Sequence, residues 1–145
     1  MRRVSYPVRM AVVAGFALVV VLSVVRIGSA TGVVNKADLS GNWQIVLGGF
    51  TGCGQSTEIA NINLNSSGSG TGTVKTHGNC GDSTQTGQTF TINSLSSNGS
   101  GTAGLSCGPS CGWAFTIQVS PDRATMSMVD LTDPGNYLSG MAIHQ

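Results

Sequence analysis

The sequence predicts an all-β fold, a single small antiparallel eight-stranded up-and-down β-barrel, on three observations. Large apolar residues alternate with small or polar ones in several separate runs, the period of two that belongs to a half-buried strand. Gly, Ser, Thr and Asn clusters punctuate those runs, as hairpin turns require. Helical periodicity is absent from residues 31–145. A β-sandwich would show the same alternation and is the competing architecture.

Residues 1–30 read as a secretory signal peptide. Arg2, Arg3 and Arg9 precede an apolar run of 16 residues from Met10 to Val25, and Gly28-Ser29-Ala30 supplies the small residues of a cleavage site. Arg26 interrupts the apolar stretch before it reaches the roughly 20 residues of a spanning helix. Cleavage after Ala30 is therefore expected, with an uncleaved amino-terminal anchor as the alternative. Arg2-Arg3 does not complete a twin-arginine motif, and no cysteine follows the small residues to accept lipid. The mature chain, secreted or periplasmic, would begin at Thr31 with an arm over 31–38 and a barrel over 39–145.

The strands are expected near 41–48, 57–65, 71–77, 88–95, 101–107, 111–120, 124–131 and 137–144. Trp43, Ile45 and Leu47 mark the inward phase of the first, and Ala60, Ile62 and Leu64 that of the second. Val74 and Phe90 supply the core positions of the third and fourth. The sixth is the clearest, because Trp113, Phe115, Ile117 and Val119 alternate without a break. Turns fall at 66–70, 96–100, 108–110, 120–123 and 133–136. The segment from Ile62 to Gly72 is echoed from Ile92 to Ala103, both running strand, Ser/Gly turn, strand, and Asn98-Gly99 is a strong hairpin signal.

Four of the seven Lys and Arg residues lie in the leader. The mature chain keeps Lys36, Lys75 and Arg123 against six Asp and Glu, a net charge of −3. Weak acidity without a basic cluster excludes nucleic acid and anionic membrane surfaces as partners. Membrane contact would come only through an uncleaved leader, and the barrel is read as a monomer.

Cys53, Cys80, Cys107 and Cys111 all follow the leader, and an even cysteine count in an exported small domain favours disulfides. Three pairings exist. Cys107 and Cys111 flank the turn 108–110, which would set them opposite each other in a hairpin, leaving Cys53 with Cys80. In the chain-entropy account the short ring contributes about 2 kcal/mol and the long one about 3.5 kcal/mol. His77 near Cys80 is the competing metal arrangement, but no Cys-x-x-Cys motif accompanies it. Neither a metal nor a cofactor is expected, and His144 reads as a solvated end residue.

Leu39-Ser40-Gly41-Asn42-Trp43 resembles the Gly-x-Trp signature of lipocalins, the Thr-Gly-x-Trp start of avidins and the Leu-Ser-Gly-x-Trp opening of small periplasmic inhibitors of bacterial metalloproteases. All three are eight-stranded barrels of the calycin type. The resemblance implies a tryptophan near the closed end and, for the inhibitors, an amino-terminal segment inserted into the enzyme. The chain departs from each pattern. It lacks the lipocalin arginine on the last strand and the avidin tryptophan set, and it has four cysteines where the inhibitors have one disulfide.

No Gly-x-Ser-x-Gly elbow occurs, and neither histidine sits in a recognisable nucleophile arrangement. Asp82, Asp122, Asp130 and Asp133 fall in turns or at strand ends. Glu58 and Asp130 could act as an acid–base pair, but nothing in the sequence brings them together. The expected function is non-enzymatic: a lipocalin-like binding protein for a small apolar ligand, its interior lined by Phe90, Trp113, Phe115, Ile117, Met126, Met128 and Met141. An eight-stranded barrel is just wide enough to hold one small ligand or to fill itself with side chains. In a filled core the methionines would be gap fillers. A secreted protein partner is the alternative, the chain then being a protease inhibitor or an envelope-surface module.

Overall fold

The computed structural model describes residues 32–108, 111–130 and 135–145, with the side chains of Cys107 and Cys111 outside that set. The expected signal peptide falls outside the described residues. Eight antiparallel strands follow a short 3-10 turn at Lys36–Leu39: β1 Gly41–Thr51, β2 Gly54–Leu64, β3 Ser69–Gly78, β4 Gly81–Leu95, β5 Ser100–Gly108, β6 Cys111–Val119, β7 Thr125–Asp130 and β8 Tyr137–His144. Each strand pairs with the next, and β8 pairs with β1, so the sheet closes as an up-and-down barrel. Closure leaves no exposed strand edge.

The alternation anticipated from the sequence sets the inward face. Trp43, Ile45 and Leu47 of β1, Ala60, Ile62 and Leu64 of β2, Val74 of β3, and Phe90 and Ile92 of β4 are all buried. They join Ala103, Leu105, Phe115, Ile117, Val119, Met126, Met128, Leu138 and Ala142 in one core. Phe90, Phe115, Met126 and Met128 are each within 2 % of full burial, so this part of the interior is packed with side chains. Met141, expected inside, faces solvent at 47 % exposure. The reason is register: Gly140 sits opposite Leu47, and a Cβ there would lie 1.9 Å from the Val46 carbonyl oxygen. Gly140 holds its inward position because β8 crosses β1 there too closely for a side chain, while Leu138 and Ala142 of the same phase are buried.

One end of the barrel is closed by its turns and by the arm. The two echoed segments form matching hairpins. The Gly68 amide donates to the Asn65 carbonyl and the Gly68 carbonyl accepts from Ile92. Gly99 repeats this with Ser96 and Val119. The third turn at this end places Arg123 in the left-handed region, at φ 61°. Its guanidinium donates to the Val33 carbonyl (3.0 Å) and to Asp38 (3.2 Å), while Lys36 donates to the Ile92 and Asn93 carbonyls. The Val34 amide donates to the Ser97 carbonyl, and Val34 and Leu39 are buried. The arm is thus folded down as a plug.

Trp43 closes the core beneath that plug, its indole N–H donating to the Leu39 carbonyl at 2.8 Å. His144 stacks on the Trp43 ring, with centroids 4.7 Å apart and planes 3° from parallel. It is no solvated end residue. Ladder pairing of Trp43 with His144 puts the two rings side by side at the point where the barrel closes.

Candidate functional site

The opposite end is where the chain leaves room. Among the described residues, its rim is built by the β1–β2 and β3–β4 hairpins and by the ends of β5, β6, β7 and β8. The first two hairpins are long, since β1 and β2 turn only at 52–53 and β3 and β4 at 79–80. Cys53 and Cys80 sit at those two tips and are joined by a disulfide, their Cα atoms 5.4 Å apart. This is the long-range pairing expected from the sequence. It fixes two neighbouring hairpins together as one wall of the mouth. For the second expected pair, the backbone ladder sets Cys111 opposite Gly108, with a register shift between Ser106 and Gly108 that leaves Cys107 in the irregular step. The side chains of that pair lie outside the described set.

Between the hairpins lies a cleft of about 550 Å³, lined among others by Ser56, Glu58, Gln85, Trp113 and the disulfide. That volume lies in the range of small-molecule sites. Glu58 enters from β2 because the inward phase of Leu64, Ile62 and Ala60 continues back through it to Ser56. The carboxyl is 3 % exposed. Burial pushes its pKa above the usual carboxylate value, and the Trp113 indole offsets part of that rise. Among the described residues, Glu58 Oε2, Trp113 Nε1 and Gln85 Oε1 are buried without a hydrogen bond of full geometry, although the indole lies close enough to the carboxyl to lower its pKa.

Buried polar atoms almost always have partners. Three such atoms on three strands, all in residues that line one cleft, are therefore informative: two acceptors and a donor lie buried in its wall. Asp130, the last residue of β7, is also buried and points inward beside Phe115 of β6. The fold thus places both Glu58 and Asp130 in the interior of the open half. At the rim His77 pairs with Asp82 across the β3–β4 ladder, both exposed.

Of the ligand-lining residues expected from the sequence, only Trp113 borders this cleft, half-buried against the core. Phe90, Phe115, Met126 and Met128 are consumed by the packed half, and Met141 is outside. Glu58 was legible as an inward residue from its strand's period. Gln85 was not, because β4 there is a run of polar residues without alternation. No three His, Cys, Asp or Glu side chains among the described residues converge to hold a metal, and none of their helices is long and apolar enough to cross a membrane. Compared with family models, curated proteins and solved structures, the chain matches none.

Proposed function

We propose that this is an exported, non-enzymatic binding protein that takes a small ligand into the open end of its barrel. The observation that carries the reading is the cleft between the hairpins, whose wall includes Glu58, Gln85 and Trp113, each with a buried polar atom left unsatisfied. A filled lower core and a plugged far end leave this mouth as the entrance. The ligand's apolar part would rest on Trp113. The disulfide between Cys53 and Cys80 is compatible with a secreted or periplasmic address.

Binding without turnover is favoured because no nucleophile is held against a base among the described residues: the Ser56 hydroxyl in the cleft bonds to Thr51 and not to the Glu58 or Asp82 carboxyl. The inhibitor reading loses support from the arm: residues 33–39 are hydrogen-bonded onto the barrel by Arg123 and Lys36 instead of projecting toward a partner. Titration of the purified protein with an apolar fluorescent dye should give saturable one-to-one uptake that weakens in Trp113→Ala. Absence of uptake, together with one-to-one inhibition of a coexpressed protease, would overturn the reading. So would hydrolysis of a reporter substrate that is lost in Glu58→Gln or Asp130→Asn.

A further inference from the structure

We infer that the ligand of the open cleft is a small organic cation, an ammonium group carried on an apolar or aromatic body, with Glu58 as its counter-ion and Trp113 as its stacking face. This rests on the binding reading above and gives that site its chemistry.

The charge lining the cleft has one sign. Among its described lining residues, Glu58 and Asp82 are acidic and there is no lysine or arginine. The cations of the barrel domain are elsewhere: Lys36 and Arg123 hold the arm at the closed end, and Lys75 lies on the outer surface of β3. Asp82 has a partner in His77. Glu58 has none of opposite charge, although it is almost completely buried and its Oε2 lacks a hydrogen bond. A buried carboxyl left this way destabilises the fold, and an apolar residue at position 58 would have continued the core of β2 without that cost.

The other orphaned groups fit the same guest. An ammonium carries up to three donors and no acceptor. Glu58 Oε2 and Gln85 Oε1 are both buried acceptors without a hydrogen bond, in residues that line the cleft. Trp113 offers the aromatic face most favourable to a cation. A carboxylate ligand would meet the same two acceptors and would be repelled. Protonation supports the assignment as well, since burial holds the Glu58 carboxyl toward its neutral form and a bound ammonium would draw it back to the ionised one. Asp82 and His77 at the rim and Asp130 in the interior are the other titratable groups at this end.

Three probes of one shape and different charge test this on the purified full chain by titration calorimetry: benzylamine, benzyl alcohol and benzoate. Benzylamine should bind one to one, at least about tenfold tighter than benzyl alcohol, a difference of ~1.4 kcal/mol, and benzoate should not bind. Glu58→Gln, neutral and nearly isosteric, should erase the preference for benzylamine while keeping a native melting transition. Asp122→Asn removes one negative charge at the closed end and should leave the preference intact, so a loss there would indicate only a general field effect and count against Glu58. Equal binding of amine and alcohol, or an amine preference that survives in Glu58→Gln, would overturn the cation assignment while leaving a binding barrel. Failure of all three probes overturns the assignment too. If dye uptake also fails, the binding function falls with it.

Discussion

Replacing Glu58 with glutamine should stabilise the protein, and by an amount that depends on pH. The carboxyl is 3 % exposed, and burial raises its pKa from the ordinary value of 4.5. The folded state therefore holds a proton that the unfolded chain gives up, and ∂ΔG/∂pH is negative between 4.5 and the raised folded value. Stability from this group is complete below 4.5 and is lost as pH rises through that window. The slope cannot exceed ~1.4 kcal/mol per pH unit for one proton. Glutamine is buried in the same way but carries no charge, so the variant should be the more stable at neutral pH by the ionisation penalty alone, which is bounded by that slope taken over the window. The two proteins should converge in acid, where both side chains are neutral. Denaturant unfolding of both, disulfides intact, from about pH 4 to about pH 8 gives the difference curve, from which the titrations they share cancel. A wild type as stable as the variant at neutral pH, or a difference that does not change with pH, would show that Glu58 is satisfied in the folded protein and would remove the physical basis of the ligand assignment.

Other perturbations test other parts of the barrel. Cys53→Ser should cost about 3.5 kcal/mol through the lost ring closure, read as a lower denaturation midpoint; a loss under about 1 kcal/mol would mean that packing alone holds the hairpin tips. Gly140→Ala puts a Cβ where the Val46 carbonyl already is and should cost about 3 kcal/mol or more, since backbone and not a flexible side chain must move; a neutral result would mean β8 and β1 lie further apart. Arg123→Gly relieves a left-handed residue worth roughly 1 kcal/mol but removes the clamp on the arm, so melting should change little while protease cleavage near residues 33–38 accelerates. Trp43→Ala should cost about 3–5 kcal/mol and Trp113→Ala clearly less, because Trp113 is only half-buried at the mouth; equal losses would place Trp113 in the sealed core.

The period of two was enough to find the strands whose inner residues are large. It fails in β4, where Gly81 to Gln88 carries no apolar residue, because that half of the strand extends into a hairpin beyond the packed core. It also misleads in β8. There side-chain size singles out Met141, whereas the inward phase is that of Leu138, Gly140 and Ala142, with a glycine where β8 comes closest to the β1 backbone. The Cys53–Cys80 bridge could be reached only by elimination, because the turn at 108–110 assigns Cys107 to Cys111 and leaves the other two; that both sit at hairpin tips is visible only in the fold. The cleft could not be reached, since Glu58, Gln85 and Trp113 come from β2, β4 and β6 and meet only through the curvature of the closed sheet. His144 was misread for a similar reason: its partner Trp43 lies at the other end of the chain and is brought alongside only by ring closure.

That closure carries a kinetic consequence. β1 and β7 each keep a bare edge until β8 arrives, and the pairs that complete the ring, such as Trp43 with His144, join residues about a hundred positions apart. A chain emerging in order is an open meander for most of its passage, with unpaired backbone along both borders and Val46 and Ile59 exposed beside one of them. Long-range closure of this kind is slow, and free strand edges recruit other chains while it waits. The risk of misassembly is thus concentrated in the interval before residues 137–144 dock, and conditions that delay β8 should lower the yield of native protein more than they change the stability of what has folded.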